Sequence, residues 1–242
     1  MSGIYIHIPF CKQACYYCDF HFSTSKKNKT EIVNTLIKEI QIRQDYLVNK
    51  EIQSIYFGGG TPSLLSVNEI HLILNEIYKH FKLSKNCEIT LEANPDDLNK
   101  KKLHELLNLG INRLSIGIQS FFDEDLKFLN RAHLASDALS SIRTAQQIGF
   151  KNITVDLIYG FSQLTINKWM HNIQTVLDLN IPHISAYSLT IEKGTAFHHF
   201  IKKGQLQPLN DDVSVEHFNL LQNELGNAGF EHYEKPHTIR KS

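Results

Sequence analysis

The chain is short of the features that would place it outside the cell or in a membrane. It has only four cysteines in 242 residues, three of them crowded between positions 11 and 18. A secreted disulfide framework spreads its cysteines along the chain, so this pattern favours a reducing compartment, and a cytoplasmic location is expected. No uninterrupted apolar run is long enough to cross a bilayer, so no transmembrane segment is expected. The opening "MSGIYIHIPF" lacks a basic lead and a small-residue cleavage site, and does not read as a signal peptide. Excess charge of one sign is also missing, with 25 basic and 25 acidic side chains. That balance gives no electrostatic case for a nucleic-acid partner or an acidic membrane surface. Repeats and low-complexity tracts are absent as well. An apolar content of 42% and a charged content of 21% describe an ordinary globular chain, long enough to bury a sizeable core.

What the sequence has is alternation. "GIYIHIP", "IQSIYFGGG", "CEITLEANP", "INRLSIGIQS", "NITVDLIYG" and "IPHISAYSLT" read as strands. Between them lie segments with helical spacing, such as Ile32, Val33, Leu36, Ile37 and Ile40 in the first. Ser66 and Glu69 form a capping box ahead of "NEIHLILNEIYKHF", and Gly110 closes the helix of "DDLNKKKLHELLNLG". Six strand-then-helix units imply right-handed crossovers and a parallel sheet. A doubly wound sheet fits the alternation. A closed or partly closed barrel explains better why polar groups sit at the end of nearly every strand. After Thr190 the pattern weakens to one helix in "NDDVSVEHFNLLQNELGNAG", a short strand in "FEHYE", and "KPHTIRKS", which reads as a frayed tail. The expected domains are 1–190, the barrel, and 191–242, a C-terminal extension that starts a second domain.

Cys11, Cys15 and Cys18 form CxxxCxxC directly after the first strand. Three thiolates hold three irons of a [4Fe–4S] cluster and leave the fourth open, whereas an electron-carrying cluster takes four. The same cysteines with His21 would make a Cys3His zinc set and a zinc-stabilised interaction domain. Spacing alone leaves both open. Cys87, at the start of a strand, reads as a buried free thiol. Asp156 lies inside the apolar run "ITVDLIYG"; an acid in a buried strand needs a partner, and a ligand is a fair one.

With Tyr17 just before the third cysteine, the loop resembles that of radical S-adenosylmethionine (SAM) enzymes, and "GGGTPS" resembles their glycine segment. "HIPFC", "LEANPDDL", "RLSIGIQSF", "LNRAH", "VDLIYG" and "SAYSLTIEKGT" narrow the likeness to the branch with anaerobic coproporphyrinogen III oxidases and HemW-type haem chaperones. It covers about residues 3 to 234. The resemblance implies a partial (β/α)6 TIM-like barrel of the radical SAM type, an α/β fold. It implies a [4Fe–4S] cluster on Cys11, Cys15 and Cys18, with SAM chelating the open iron and releasing a 5′-deoxyadenosyl radical when the cluster supplies an electron. Residues matching the family's SAM and cluster surroundings are Tyr5, Tyr17, Gly59, Gly60, Thr61, Glu92, Gln119, Arg131, Asp156 and Ser188. In this reading Tyr17 packs on adenine or sits in the core, and the Arg131 fork meets the SAM carboxylate. His7 and His133 are read as structural.

Haem or a porphyrinogen is the implied partner, with an electron donor and a haem acceptor that the sequence does not specify. The oxidases carry a further cysteine where this chain has Phe20, which favours the haem chaperone; radical decarboxylation of coproporphyrinogen III is the alternative. HemW-type proteins continue past "YE" into a domain with an HNxxYW-like motif. Here "KPHTIRKS" follows, so a shortened chain is expected. His198, His199, His232 and His237 are candidate haem ligands only in the loosest sense.

Overall fold

The computed structural model describes residues 2–47, 51–234 and 237–240. Six strands, β1 (Ser2–Ile8), β2 (Glu51–Gly59), β3 (Lys82–Ala93), β4 (Arg113–Gln119), β5 (Asn152–Tyr159) and β6 (His183–Ser188), pair in chain order and all in parallel. A doubly wound sheet reverses its strand order part-way. Here the order never reverses, so every right-handed crossover lies on the same face and the sheet curls around the other. The crossovers are α1 (Lys29–Ile42), α2 (Val67–His80), α3 (Lys100–Asn108), α4 (Asp123–Phe128), α5 (Ala135–Ile148) and α6 (Ile166–Asp178). The first and last strands do not pair among the described residues, so the barrel is partial.

Strand alternation separates two environments. On β3 the buried Cys87, Ile89, Leu91 and Ala93 alternate with Glu88, Thr90 and Glu92. On β4, Leu114, Ile116 and Ile118 alternate with Arg113, Ser115, Gly117 and Gln119, and on β5, Ile153, Val155 and Leu157 alternate with Asn152, Thr154 and Asp156. The apolar set packs against the helices, which present Ile70, Ile73, Leu74 and Ile77 from α2 and Trp169, Ile173 and Val176 from α6. The polar set bonds to itself across the concave face. Arg113 donates to Glu88 and Thr154, Asn152 donates to Glu88, and the Tyr56 hydroxyl donates to Glu92 at 2.7 Å. A closed barrel fills its interior with branched apolar side chains. This one lines it with polar groups, as a ligand site requires.

The capping box at Ser66 is present, with both reciprocal bonds formed. Past β6, α7 (Ala196–Lys202) and α8 (Asp211–Asn227) lead to β7 (Phe230–Glu234) and β8 (His237–Arg240). The expected fray at the end is corrected for residues 237–240. They form β8, antiparallel to β6 and placed between β6 and β7, because the edge of β6 offers unpaired backbone groups to a returning strand. Residues 235, 236, 241 and 242 of that tail lie outside the described residues. Helix α8 is fastened by Trp169, whose indole donates to the His217 carbonyl at 2.9 Å, while His217 Nδ1 accepts from the Gly160 amide.

Three buried histidines are held neutral. His133 and His183 are each pushed down to about 4, by burial first and then by Arg131 and Arg113 respectively. His217 is lowered by burial. A group whose folded pKa lies below its unfolded value adds stability above the unfolded value and loses it as pH falls toward the folded one. The metal-free chain is therefore expected to weaken between about pH 6.5 and about pH 4, by at most about 1.4 kcal/mol per pH unit for each histidine. The buried Asp156 carboxyl, raised to about 7, acts in the opposite sense over the same range and offsets part of this loss. Urea midpoints at pH 7, 5.5 and 4.5 should still fall in that order, and the fall should steepen in Asp156→Asn; a flat profile in that variant would contradict the assignment.

Candidate functional site

The segment after β1 is a loop tied down at both ends. Phe10 and Ser23 form a bridge, the Cys11 amide donates to the Ser23 carbonyl, and the Ser23 amide donates to Pro9. From outside, the Gln13 amide donates to Asn130, Asn130 donates to the Ala14 carbonyl at 2.7 Å, and the Tyr16 amide donates to Leu129. The Tyr16 ring meets Phe197 and Phe200 edge-on. The loop is thus fixed to the α4–α5 connection and to α7, so its cysteines have a set direction.

That direction is a cavity of about 470 Å³ at the carboxyl ends of the strands, within the range of small-molecule sites. Cys11, Cys15, Cys18 and Tyr17 line it from the loop, Gly59, Gly60 and Thr61 from the end of β2, and Glu92 from β3. Gln119 from β4, Asp156 from β5, Ser188 from β6, and Arg131 before α5 complete the expected set. Tyr5 is the one expected residue placed elsewhere. On the edge strand it is 59% exposed, its hydroxyl donates to His7 Nδ1, and its ring stacks on Tyr56. It meets the cavity lining indirectly, through Tyr56, whose hydroxyl donates to Glu92, and through His7, whose ring lies against Gly59. His133 is buried, its Nε2 donating to the Ile118 carbonyl, as a structural histidine does.

Glycine is demanded twice at the end of β2. Gly59 has φ +112, and a Cβ there would lie 2.7 Å from the His7 ring. A Cβ on Gly60 would lie 2.7 Å from the Phe10 carbonyl oxygen and 3.0 Å from that of Ile8. Gly60 thus lets the cysteine loop cross directly over β2. Gln119 has φ 69 after a register shift in β4, an uncommon conformation outside glycine that marks functional turns.

The electrostatics suit a cation held by the thiols. Burial pushes the Cys18 thiol up to about 11, with Cys15 and Cys11 adding to the rise. The Cys11 thiol is also raised by burial, against a bond from the Thr61 hydroxyl. Three thiols in one half-buried pocket do not ionise together unless a metal takes the charge. Glu92 is raised by burial despite bonds from Tyr56 and the Gly59 amide, and Asp156 reaches about 7 through burial and the neighbouring Glu92. Two polar atoms at the site are buried without a protein partner, Gln119 Oε1 and Arg131 Nε. Such atoms ask for a ligand. The donor set, the orphaned acceptor and donor, and the glycine cradle all fit a thiolate-held iron cluster with a polar cofactor beside it.

Arg131 differs from its expected use. Both terminal nitrogens are spent on the protein: Nη2 donates to Asn94 Oδ1 and the Gly117 carbonyl at 2.7 Å each, and Nη1 to Cys15 Sγ at 3.4 Å and to the Tyr17 hydroxyl. Only the Nε hydrogen remains for a carboxylate. Sequence reasoning missed Asn94, Ser115, Tyr187 and Gln13, which also line the cavity. Asn94 stood in plain view, two residues after Glu92. Among the described residues no group of three or more His, Cys, Asp or Glu is drawn together enough to hold one metal ion. His21 is exposed and does not line the cavity. The Cys3His zinc set therefore does not form here.

Among known proteins, the family model of the radical SAM superfamily matches residues 5–176. The haem chaperone HemW of Bacillus subtilis is 35% identical over 236 residues, covering 97% of this chain and 62% of that protein. HemW of Escherichia coli is 34% identical over 236 residues, covering 96% of this chain and 61% of that protein. The chain thus spans about three-fifths of the length of these curated relatives. The solved structure of coproporphyrinogen III oxidase (HemN) from Escherichia coli superposes with a TM-score of 0.87 at 24% identity, over 98% of this chain and 55% of that one. That last likeness establishes the fold.

Gly60→Ala is expected to cost about 1–3 kcal/mol of stability, because the new methyl meets backbone that cannot rotate away. It should also lower iron uptake by the loop it displaces. Gly226→Ala, in α8 with nothing within 4 Å of the new Cβ, is the control and should be neutral or up to about 1 kcal/mol stabilising. Urea denaturation with iron analysis checks both; equal stability of the two variants would contradict the cradle.

Proposed function

The chain belongs to the radical SAM superfamily, and we propose that it is the cluster- and SAM-binding barrel of a HemW-type haem chaperone. The observation that carries this reading is the convergence of three loop thiols and four polar strand ends, Glu92, Gln119, Asp156 and Ser188, on one cavity. When bound, the cluster and SAM together supply one-electron cleavage of a sulfonium carbon–sulfur bond. Cys11, Cys15 and Cys18 would hold the cluster. The Glu92 and Asp156 carboxyls and the Gln119 amide would take the ribose hydroxyls and ammonium, and the Arg131 Nε hydrogen would take the carboxylate. Backbone at Gly59 to Thr61 would lie along the methionine part. Tyr17 would pack beside the adenine while the loop above excludes water.

The choice of chaperone over oxidase rests on the names of the relatives and on Phe20. This ring is 67% exposed and lines the cavity where the oxidases carry a further cysteine. An apolar, accessible ring at that place suits contact with a flat apolar macrocycle better than a fourth thiolate would. The electron donor and the acceptor of haem belong to the same proposal and are not identified by the chain. No described helix is long and apolar enough to cross a membrane.

Anaerobic reconstitution with iron and sulfide, followed by haem titration and assay with coproporphyrinogen III and SAM, tests the reading. The expected result is a shifted Soret band that saturates at about one haem per chain, with no carbon dioxide released. Decarboxylated porphyrinogen would make the barrel an oxidase and overturn the chaperone reading.

A further inference from the structure

Two of the three loop sulfurs are met by a hydrogen-bond donor from the barrel. The Thr61 hydroxyl donates to Cys11 Sγ at 3.5 Å, and Arg131 Nη1 donates to Cys15 Sγ at 3.4 Å. Both donors are held stiffly. Thr61 is buried at the end of β2, after the Gly59–Gly60 turn. Arg131 is clamped by the Asn94 side chain and the Gly117 carbonyl, and its own amide donates to Leu126. A guanidinium that only needed to meet a ligand would keep its fork free. This one spends both terminal nitrogens on the protein, Nη2 on Asn94 and Gly117 and Nη1 on the Cys15 sulfur and the Tyr17 hydroxyl.

We propose that Arg131 and Thr61 set the reduction potential of the iron–sulfur cluster by donating to the Cys15 and Cys11 sulfurs. The inference rests on the cluster reading above and adds a role within it. Reduction places one more electron on the cluster, and much of that charge appears on its sulfur ligands. Donors to sulfur, and a fixed positive charge at hydrogen-bond distance in a half-buried site, favour the more negative, reduced form. The two residues therefore raise the potential, so that a weaker one-electron donor can reduce the cluster. Arg131 is in this sense a positioning residue with two partners: its Nη1 serves the cluster, and its Nε is left for the cofactor beside it. Thr61 does the same at the opposite cysteine without carrying charge, which separates the hydrogen-bond effect from the effect of charge.

The test is a potentiometric titration of the reconstituted holoprotein, with dithionite as reductant, followed by electron paramagnetic resonance without SAM. Thr61→Val and Arg131→Met should each move the midpoint to more negative potential, with the larger move for Arg131→Met. Thr61→Ser, which keeps the donor, should stay at the wild-type value. Unchanged midpoints in Thr61→Val and Arg131→Met at wild-type iron content would overturn the inference. Should the Arg131 variant fail to fold, Thr61→Val decides alone. A second measurement needs no variant: resonance Raman bands of the iron–cysteine stretches should shift when the wild-type protein is reconstituted in D2O. Unshifted bands would also overturn the inference. A wild-type chain that takes up no cluster gives a different result, which sinks the cluster reading and this inference with it.

Discussion

Three thiols held in one half-buried loop cannot give up their protons together unless a cation receives the charge, and the site is organised around that constraint. Burial and mutual repulsion raise Cys11 and Cys18 above their ordinary range. What lowers the cost is borrowed from the barrel: the Thr61 hydroxyl, the Arg131 guanidinium and, at binding, the irons. The loop is therefore fastened at many points. Asn130 donates to Ala14, Gln13 donates to Asn130, the Lys12 ammonium pairs with Asp96 and Asp97, and the Phe197 amide donates to the Tyr16 carbonyl. A loose loop would let the thiols separate and stay protonated. A fixed loop keeps them ready for metal.

The barrel serves the same end. Its strands are buried on the helix side by Ile, Leu and Val and lined on the concave side by Glu88, Thr90, Glu92, Arg113, Ser115, Asp156 and Ser185. Inside an unliganded core such a lining would be expensive, since each buried polar group needs a partner. Most find one another, as Tyr56 and Glu92 do, or Arg113, Glu88 and Thr154. At the mouth, Gln119 Oε1 and Arg131 Nε are left without a protein partner, Asp156 is driven to about 7, and Gln119 is held at positive φ. Away from it, His133 Nδ1, His183 Nδ1 and Arg240 Nε are also unpartnered, so it is the coincidence of these features with the cavity lining that marks the site.

Much of this was legible in the sequence. Six strands and their helices were readable because β-branched runs alternate with helical apolar spacing, and the capping box at Ser66 formed as its spacing implies. Twelve of the thirteen expected site residues line one cavity because the chemistry sits at strand ends, where a parallel sheet exposes it. Tyr5 was not separable by motif: whether a strand residue reaches the cavity depends on its place at the barrel edge, which is a tertiary fact. The two uses of the Arg131 fork were equally hidden, since its partners Asn94, Gly117 and Cys15 come from three distant segments. The strand at residues 237–240 read as tail because its place in the sheet, between β6 and β7, depends on pairing with β6, a segment distant in the chain. One signal was available and unused: the polar parity of β3, β4 and β5 already separates the concave face from the helix face.

The central claim is that the three thiolates leave one iron free for the amino-acid end of SAM. Electron paramagnetic resonance of the reduced, reconstituted chain, recorded with and without SAM labelled with nitrogen-15 at its amino group, tests it most directly. The account predicts a changed cluster spectrum and a hyperfine coupling from the labelled nitrogen. An unchanged spectrum without that coupling, in a chain carrying a full complement of iron, would contradict it.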